Sequence, residues 1–336
     1  MRLNPLKSLV VVGLSASVLL LGACGDSKDS ASDPSTAAPS ASTTPSASAT
    51  PTAAKIKASD NFDAVTATGA FAKSPKVKVK SPWAIDKTRT KVLSPSDGQV
   101  VKAGQTVEVN YYGVDGRTGK KFDESFSTGK AVAFSLDQVV PGFSKGLTGQ
   151  RKGSRVLIAM PGADGYDSSG GNAEAGINVG DTLIFVVDLV DVQLNAPAGD
   201  TVKPKAGLPT VTAAGDKVSI AVPKTDPPTK LVVQPLIKGK GSKVGASDTI
   251  TFDYRWQQWS DGKLLEQSYG DKPASYQVSG LLPGMQQGLV GQTVGSRVLL
   301  VIPPALGYPD GNATPKIAKG ETLVMVVDLL FTQAGQ

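Results

Sequence analysis

The chain has 336 residues, with 35 Lys and Arg against 29 Asp and Glu for a formal net charge of +6, a single Cys and no His. That length exceeds what one hydrophobic core usually serves, so two domains with extensions are expected. The missing histidine excludes Ser-His, Cys-His and His-metal chemistry; the mild charge gives no ground for a nucleic-acid partner and points only weakly to anionic polymers or lipid headgroups.

Arg2 and Lys7 precede an apolar run at residues 8–20, followed by Leu21-Gly-Ala-Cys24. The run is shorter than the roughly 20 residues of a membrane span but suits the core of a signal peptide. A leucine, two small residues and a cysteine resemble the lipobox of bacterial lipoproteins. Residues 1–23 are therefore read as a signal peptide and Cys24 as the lipidated new N-terminus; a buried free thiol, or cleavage without lipid, are the alternatives. The mature chain would then sit at the cell membrane, lipid-anchored on the extracytoplasmic face. Residues 24–54, nearly all Ser, Ala, Thr and Pro beyond Cys24, cannot bury enough surface to offset ordering and are expected to form a disordered tether, about 30 Å long on average. In the lysine- and proline-rich lead-in at 55–91, Val77, Val79 and Trp83 suit either a basic patch for an anionic partner or an extended edge segment packed on the first domain. Alternation of Lys with Val favours the packed segment.

Val107-Glu-Val-Asn-Tyr-Tyr-Gly113 alternates as a strand with one buried face. Gly119-Lys-Lys-Phe-Asp123, Val139-Val-Pro-Gly-Phe143, Gly153-Ser-Arg-Val-Leu-Ile-Ala-Met160, Gly165-Tyr166 and Asp181-Thr-Leu-Ile-Phe-Val-Val-Asp188 follow. Three of these recur. Residues 139–143 return as Leu281-Leu-Pro-Gly-Met285, residues 153–157 as Gly295-Ser-Arg-Val-Leu299, and residues 181–189 as Glu321-Thr-Leu-Val-Met-Val-Val-Asp-Leu329. A repeat this long is a duplicated domain, each copy large enough to own a core. The first domain is placed at 55–195 with its core at 90–193, a Pro/Gly/Ala-rich linker at 196–209 and the second domain at 210–333. Residues 211–235 echo the lead-in, which assigns the lead-in to the duplicated unit.

The order of these motifs resembles the FKBP-type (immunophilin) peptidyl-prolyl cis/trans isomerases, over roughly residues 90–193. The resemblance implies an α+β fold in each copy, a twisted antiparallel sheet wrapped around a short helix, with an aromatic pocket between them. It implies that Tyr111, Phe122 and Phe185 form aromatic walls and Phe143 the floor. Val139 and Val140 begin the helix, with the Val140 N–H as a donor to a substrate carbonyl. Asp123 becomes the pocket carboxylate, Tyr166 the hydroxyl donor and Ile177 the apolar residue of the last loop. Val132 stands where a third phenylalanine often lies, so the proline ring is expected to be held less tightly. Taken singly, each ring also suits ordinary core packing, and Asp123 an exposed turn.

The implied reaction needs no cofactor and no metal. Rotation about an X-Pro bond meets a barrier of about 20 kcal/mol and takes about 10–100 s unaided. An enzyme need only prefer the twisted amide to the planar one. Proline-containing exported polypeptides are the implied partners, and macrolide inhibitors the implied ligands. In the second copy Phe122, Asp123, Val132, Phe143 and Phe185 become Leu265, Glu266, Ala274, Met285 and Met325, so the fold is expected to persist with a weak or lost site. Trp256 and Trp259 there suit either client binding or core packing. Two functions compete: an envelope-anchored isomerase acting through its first domain, and a non-catalytic chaperone or interaction lipoprotein binding extended peptides in both grooves.

Overall fold

The computed structural model describes residues 56–335; the expected signal peptide, Cys24 and the tether lie outside them. The first domain opens with Ala58–Ser59, which pairs in parallel with Ala84–Ile85, and between these lies a hairpin, β1 (Val65–Thr68) and β2 (Lys76–Val79). Then come β3 (Arg89–Ser94), β4 (Thr106–Asp115), β5 (Lys121–Glu124), β6 (Val132–Ser135), α1 (Pro141–Leu147), β7 (Arg155–Met160) and β8 (Leu183–Val192). The sheet order is β3-β7-β8-β4-β5, all antiparallel. The first half of β4 pairs with β6 and its second half with β5, so one long strand serves two short partners.

The sheet is covered on both faces, which is why β7 and β8 read as nearly unbroken apolar runs. Val156, Ile158 and Met160 of β7, with Leu183, Phe185, Val187 and Leu189 of β8, face the helix. Leu157, Ala159, Ile184 and Val186 face the other way, against Val65, Trp83 and Ile85 of the lead-in. Fully burying a Leu, Ile, Val or Phe side chain contributes about 1.5–3 kcal/mol relative to leaving it exposed. The lead-in is thus the second lid of the core. Arg155 and Asp188 pin it there: they form a buried ion pair, while the Arg155 guanidinium also donates to the carbonyls of Gly69 (2.8 Å) and Lys73 (2.6 Å), and Asp188 accepts the Ala72 N–H at 2.7 Å.

α1 starts on Pro141, whose missing N–H costs nothing in the first turn. It lies flat on β7 because Gly142 and Gly146 carry no side chain: a Cβ on Gly142 would fall 2.3 Å from Met160 Sδ, and one on Gly146 2.7 Å from Ile158 Cγ2. Phe143 and Leu147, between and beyond these glycines, enter the core.

The second domain repeats this plan. β9 (Gly199–Thr201), the hairpin β10 (Thr210–Ala214) and β11 (Lys217–Ala221), β12 (Val232–Gly239), β13 (Thr249–Gln258), β14 (Leu264–Gln267), β15 (Ala274–Gln277), α2 (Pro283–Leu289), β16 (Arg297–Ile302) and β17 (Leu323–Gln333) follow in order. The sheet order is β9-β12-β16-β17-β13-β14, with β15 on β13. Gly284 and Gly288 repeat the close approach of helix to strand, and Arg297 with Asp328 repeats the clamp at 2.6–2.7 Å. One boundary differs from the sequence expectation. Residues 199–201, assigned to the linker, pair with β12 as an edge strand, since their backbone finds partners in Ile237, Lys238 and Gly239.

Candidate functional site

The candidate site of the first domain gathers side chains from five places in the chain. Tyr111 comes from β4, Phe122 and Asp123 from β5, Phe185 from the middle of β8, and Val139, Val140 and Phe143 from the start of α1. Tyr166 and Ile177 come from the loop between β7 and β8, which is cross-braced by reciprocal backbone bonds between Asn172 and Ile177. All except Asp123 pack on one cluster. Phe185 is its centre: its ring lies 4.6 Å from Phe143, 5.4 Å from Phe122 at 87° and 6.3 Å from Tyr111, centroid to centroid. Edge-on aromatic pairs of this kind add about 0.5–1.5 kcal/mol beyond the area they bury.

Gly113 makes the arrangement possible. It pairs with Phe185 on one side and Asp123 on the other, and a Cβ there would lie 2.6 Å from Phe122 Cζ and 3.0 Å from Phe185 Cε1. The two rings occupy the room that any side chain at this position would take.

Asp123 is exposed at the rim, not enclosed among the rings. Its Oδ2 accepts the Tyr111 hydroxyl at 2.6 Å and its Oδ1 the Glu124 N–H at 2.8 Å. Burial, then that hydrogen bond, pushes the Tyr111 phenol well above its ordinary range; burial and the nearby Asp123 charge push Tyr166 up as well. Both phenols therefore stay protonated and able to donate throughout the neutral range. The Tyr166 hydroxyl and the Val140 N–H make no hydrogen bond among the described residues, so two donors remain free beside the rings. Among the described residues no group of three or more acidic, Cys or His side chains is placed to hold a metal ion.

Val132 does not join this group. It sits on β6, an edge strand that pairs only with β4, with 40 % of its surface exposed, and is not packed on the cluster. Phe134, two residues on and on the same strand face, lies 5.7 Å from Phe143 and packs on the cluster, as does Ala175 of the long loop. The period of two along β6 puts Phe134 on the face of Val132 without deciding which of them reaches the rings, and Ala175 gave no signal.

In the second domain Tyr254, Leu265, Leu281, Leu282 and Tyr308 pack around buried Met285, Ile317 and Met325. The position of Gly113 is taken by Trp256, which pairs with Met325 and Glu266 as Gly113 pairs with Phe185 and Asp123. Trp256 and Trp259, weighed as client-binding residues, are both buried, each 6 % exposed. Trp259 packs on the outer face with Val218 and Ile220, its Nε1 donating to the Thr225 carbonyl at 2.9 Å, a counterpart of Trp83 in the first domain.

Two tandem sheets, each holding a short helix and a bent strand, define an immunophilin-like architecture. The model of the FKBP-type peptidyl-prolyl cis-trans isomerase family matches residues 98–190 and again 240–330. The chain belongs to that family. FkpA of Escherichia coli strain K12, named as an FKBP-type peptidyl-prolyl cis-trans isomerase, is 35% identical over 146 residues, 43% of this chain and 50% of FkpA. An FK506-binding protein of Streptomyces anulatus is 42% identical over 98 residues, 29% of this chain and 78% of that protein. Among solved structures, the three FKBP domains of wheat FKBP73 align at a TM-score of 0.33 and 16% identity, over 74% of this chain and 95% of that one. The chain thus spans half the length of the FkpA it matches.

Proposed function

We propose that the first domain catalyses cis/trans exchange of X-Pro bonds, without covalent chemistry, in the hollow between β4, β5, β8 and α1. The observation that carries this reading is the convergence of Tyr111, Phe122, Phe143 and Phe185 on one cluster beside two unpaired donors, the Val140 N–H and the Tyr166 hydroxyl. A planar prolyl amide is polar and well hydrated; the twisted form has lost resonance and charge separation. Apolar rings around the proline favour the twisted form relative to water, and the Val140 N–H holds the carbonyl of the bound residue while rotation proceeds. Asp123 acts through Tyr111, whose ring it fixes at the edge of Phe185. Lowering the barrier by about 7 kcal/mol would give about five decades of rate. Relatives named as peptidyl-prolyl isomerases support the reading. Exchange in a Leu-Pro tetrapeptide, followed with the full chain, tests it: Tyr166→Phe and Asp123→Ala should each lower the rate about tenfold, and full activity in both variants would remove the proposal.

The substrates we infer are proline-containing exported polypeptides, met at the envelope by a chain anchored through lipid on Cys24. The Leu21-Gly-Ala-Cys24 motif and the spacer after it support this placement. Cys24→Ala should move the protein from the membrane to the soluble fraction; unchanged partitioning would rule the anchor out. A macrolide ligand is assigned to the same hollow, and FK506 should compete with the tetrapeptide there.

A further inference from the structure

The two domains differ most where β4 and β13 pass beneath the site. The direction in which a side chain would leave Gly113 points into Phe122 and Phe185. At the same register the second domain carries a tryptophan, and the residues in place of those two rings are Leu265 and Met325. Volume has moved from two side chains to one. The Trp256 indole is 6 % exposed and packs in the cluster of Met285, Ile317 and Met325, and its ring centroid lies 6.2 Å from that of Tyr308, the counterpart of Tyr166. Its Nε1–H is buried with no acceptor among the described residues, where packing holds the ring.

We propose that Trp256 is a built-in occupant of the second domain's prolyl pocket, and that its indole closes this domain to proline-containing peptides. A flat apolar ring seated among Tyr254, Met285, Tyr308, Ile317 and Met325 takes the place a prolyl ring would take in the first domain. The term prolyl pocket rests on the isomerase reading of the first domain. The occupancy of the hollow by the indole does not. The second domain then keeps the family's backbone and core with this place filled by the indole, and peptide binding by the full chain is confined to the first domain.

Isoleucine δ-methyl NMR of the full chain separates these statements, because Ile177 and Ile317 stand at matching places in the two loops. With xenon as a small apolar probe, Ile317 should be silent in the parent and shift saturably in Trp256→Gly, which empties the hollow. If that variant fails to fold, Trp256→Gly combined with Leu265→Phe and Met325→Phe restores the volume in the pattern of the first domain. In this triple variant a Leu-Pro tetrapeptide should shift Ile317 as it shifts Ile177. A tetrapeptide response at Ile317 in the parent, or no gain of xenon response in the folded variants, would overturn the proposal. Silence of Ile177 towards the tetrapeptide would count against the isomerase reading instead, with the xenon result at Ile317 still deciding the plug.

Discussion

The two domains of this chain have kept one set of residues and exchanged another. Kept are the glycines that lay each helix on its strand, at 142 and 146 and again at 284 and 288, and the Arg–Asp clamps, Arg155 with Asp188 and Arg297 with Asp328. Exchanged are Gly113 for Trp256, Phe122 for Leu265, Phe143 for Met285 and Phe185 for Met325. The kept glycines let each helix backbone lie directly on strand side chains, where a methyl cannot be added without a clash, and the kept ion pairs hold side chain to side chain. The exchanged ones all border one packed cluster, where volume can be redistributed at little cost to the fold. A duplicated core can therefore be preserved while the surface meant for a ligand is filled from within.

The comparison can be broken most forcefully at the clamps. Asp188→Ala leaves a buried guanidinium without its carboxylate and should cost about 3–5 kcal/mol, read as lost amide-exchange protection in β7 and β8. Asp328→Ala should cost less, because Asp188 also holds the lead-in turn through the Ala72 N–H. Equal losses would mean that the lead-in turn contributes nothing through this contact.

Phe185→Met, which imports the second domain's residue at the centre of the rings, should lower tetrapeptide exchange by about ten- to a hundredfold, or about 1.4–2.7 kcal/mol of transition-state stabilisation. Met325→Phe in the second domain should leave the rate of the full chain as it is. Gly113→Ala is milder: its methyl displaces the Phe122 and Phe185 rings by a fraction of an ångström, and a loss of about tenfold is expected. An unchanged rate would show that the placement of those rings is not limiting.

The smallest effect is on pH dependence. Tyr111 and Tyr166 in the first domain, and Tyr254, Tyr269 and Tyr308 in the second, are all raised above the ordinary phenol value of 10.0, chiefly by burial. Since the folded chain holds these protons more tightly than the unfolded one, the stability they carry is present in full below pH 10 and is lost as the pH climbs towards the folded-state values. Urea midpoints above pH 10 should fall further for the second domain, which contains the more deeply buried Tyr269. Exchange catalysis should stay flat from pH 6 to 9.

Much of this was written in the sequence. The alternation of Val107, Val109 and Tyr111 marked β4, and the repeats at 139–143 and 153–157 marked the duplication, because helix start and clamp demand particular residues. Other features were illegible for physical reasons. Phe134 and Val132 share one face of β6, and only the course of an edge strand decides which reaches the rings. Asp123 sits beside Phe122 in sequence, yet alternation along β5 turns it to the rim. Residues 199–201 have the composition of a linker, and they become a strand only because β12 leaves an edge to pair with. The weight of Trp256 lay in its register with Gly113, which required the pairing of β13 with β14 and β17.

The central claim is that catalysis resides in the ring-lined hollow of the first domain. Its most direct test is tetrapeptide exchange by the full chain carrying Phe122→Leu, Phe143→Met and Phe185→Met together, the side chains the second domain has at those places. The account predicts a folded protein whose exchange rate falls to that of the peptide alone. A rate close to the parent's, from a variant with unchanged thermal unfolding, would contradict it.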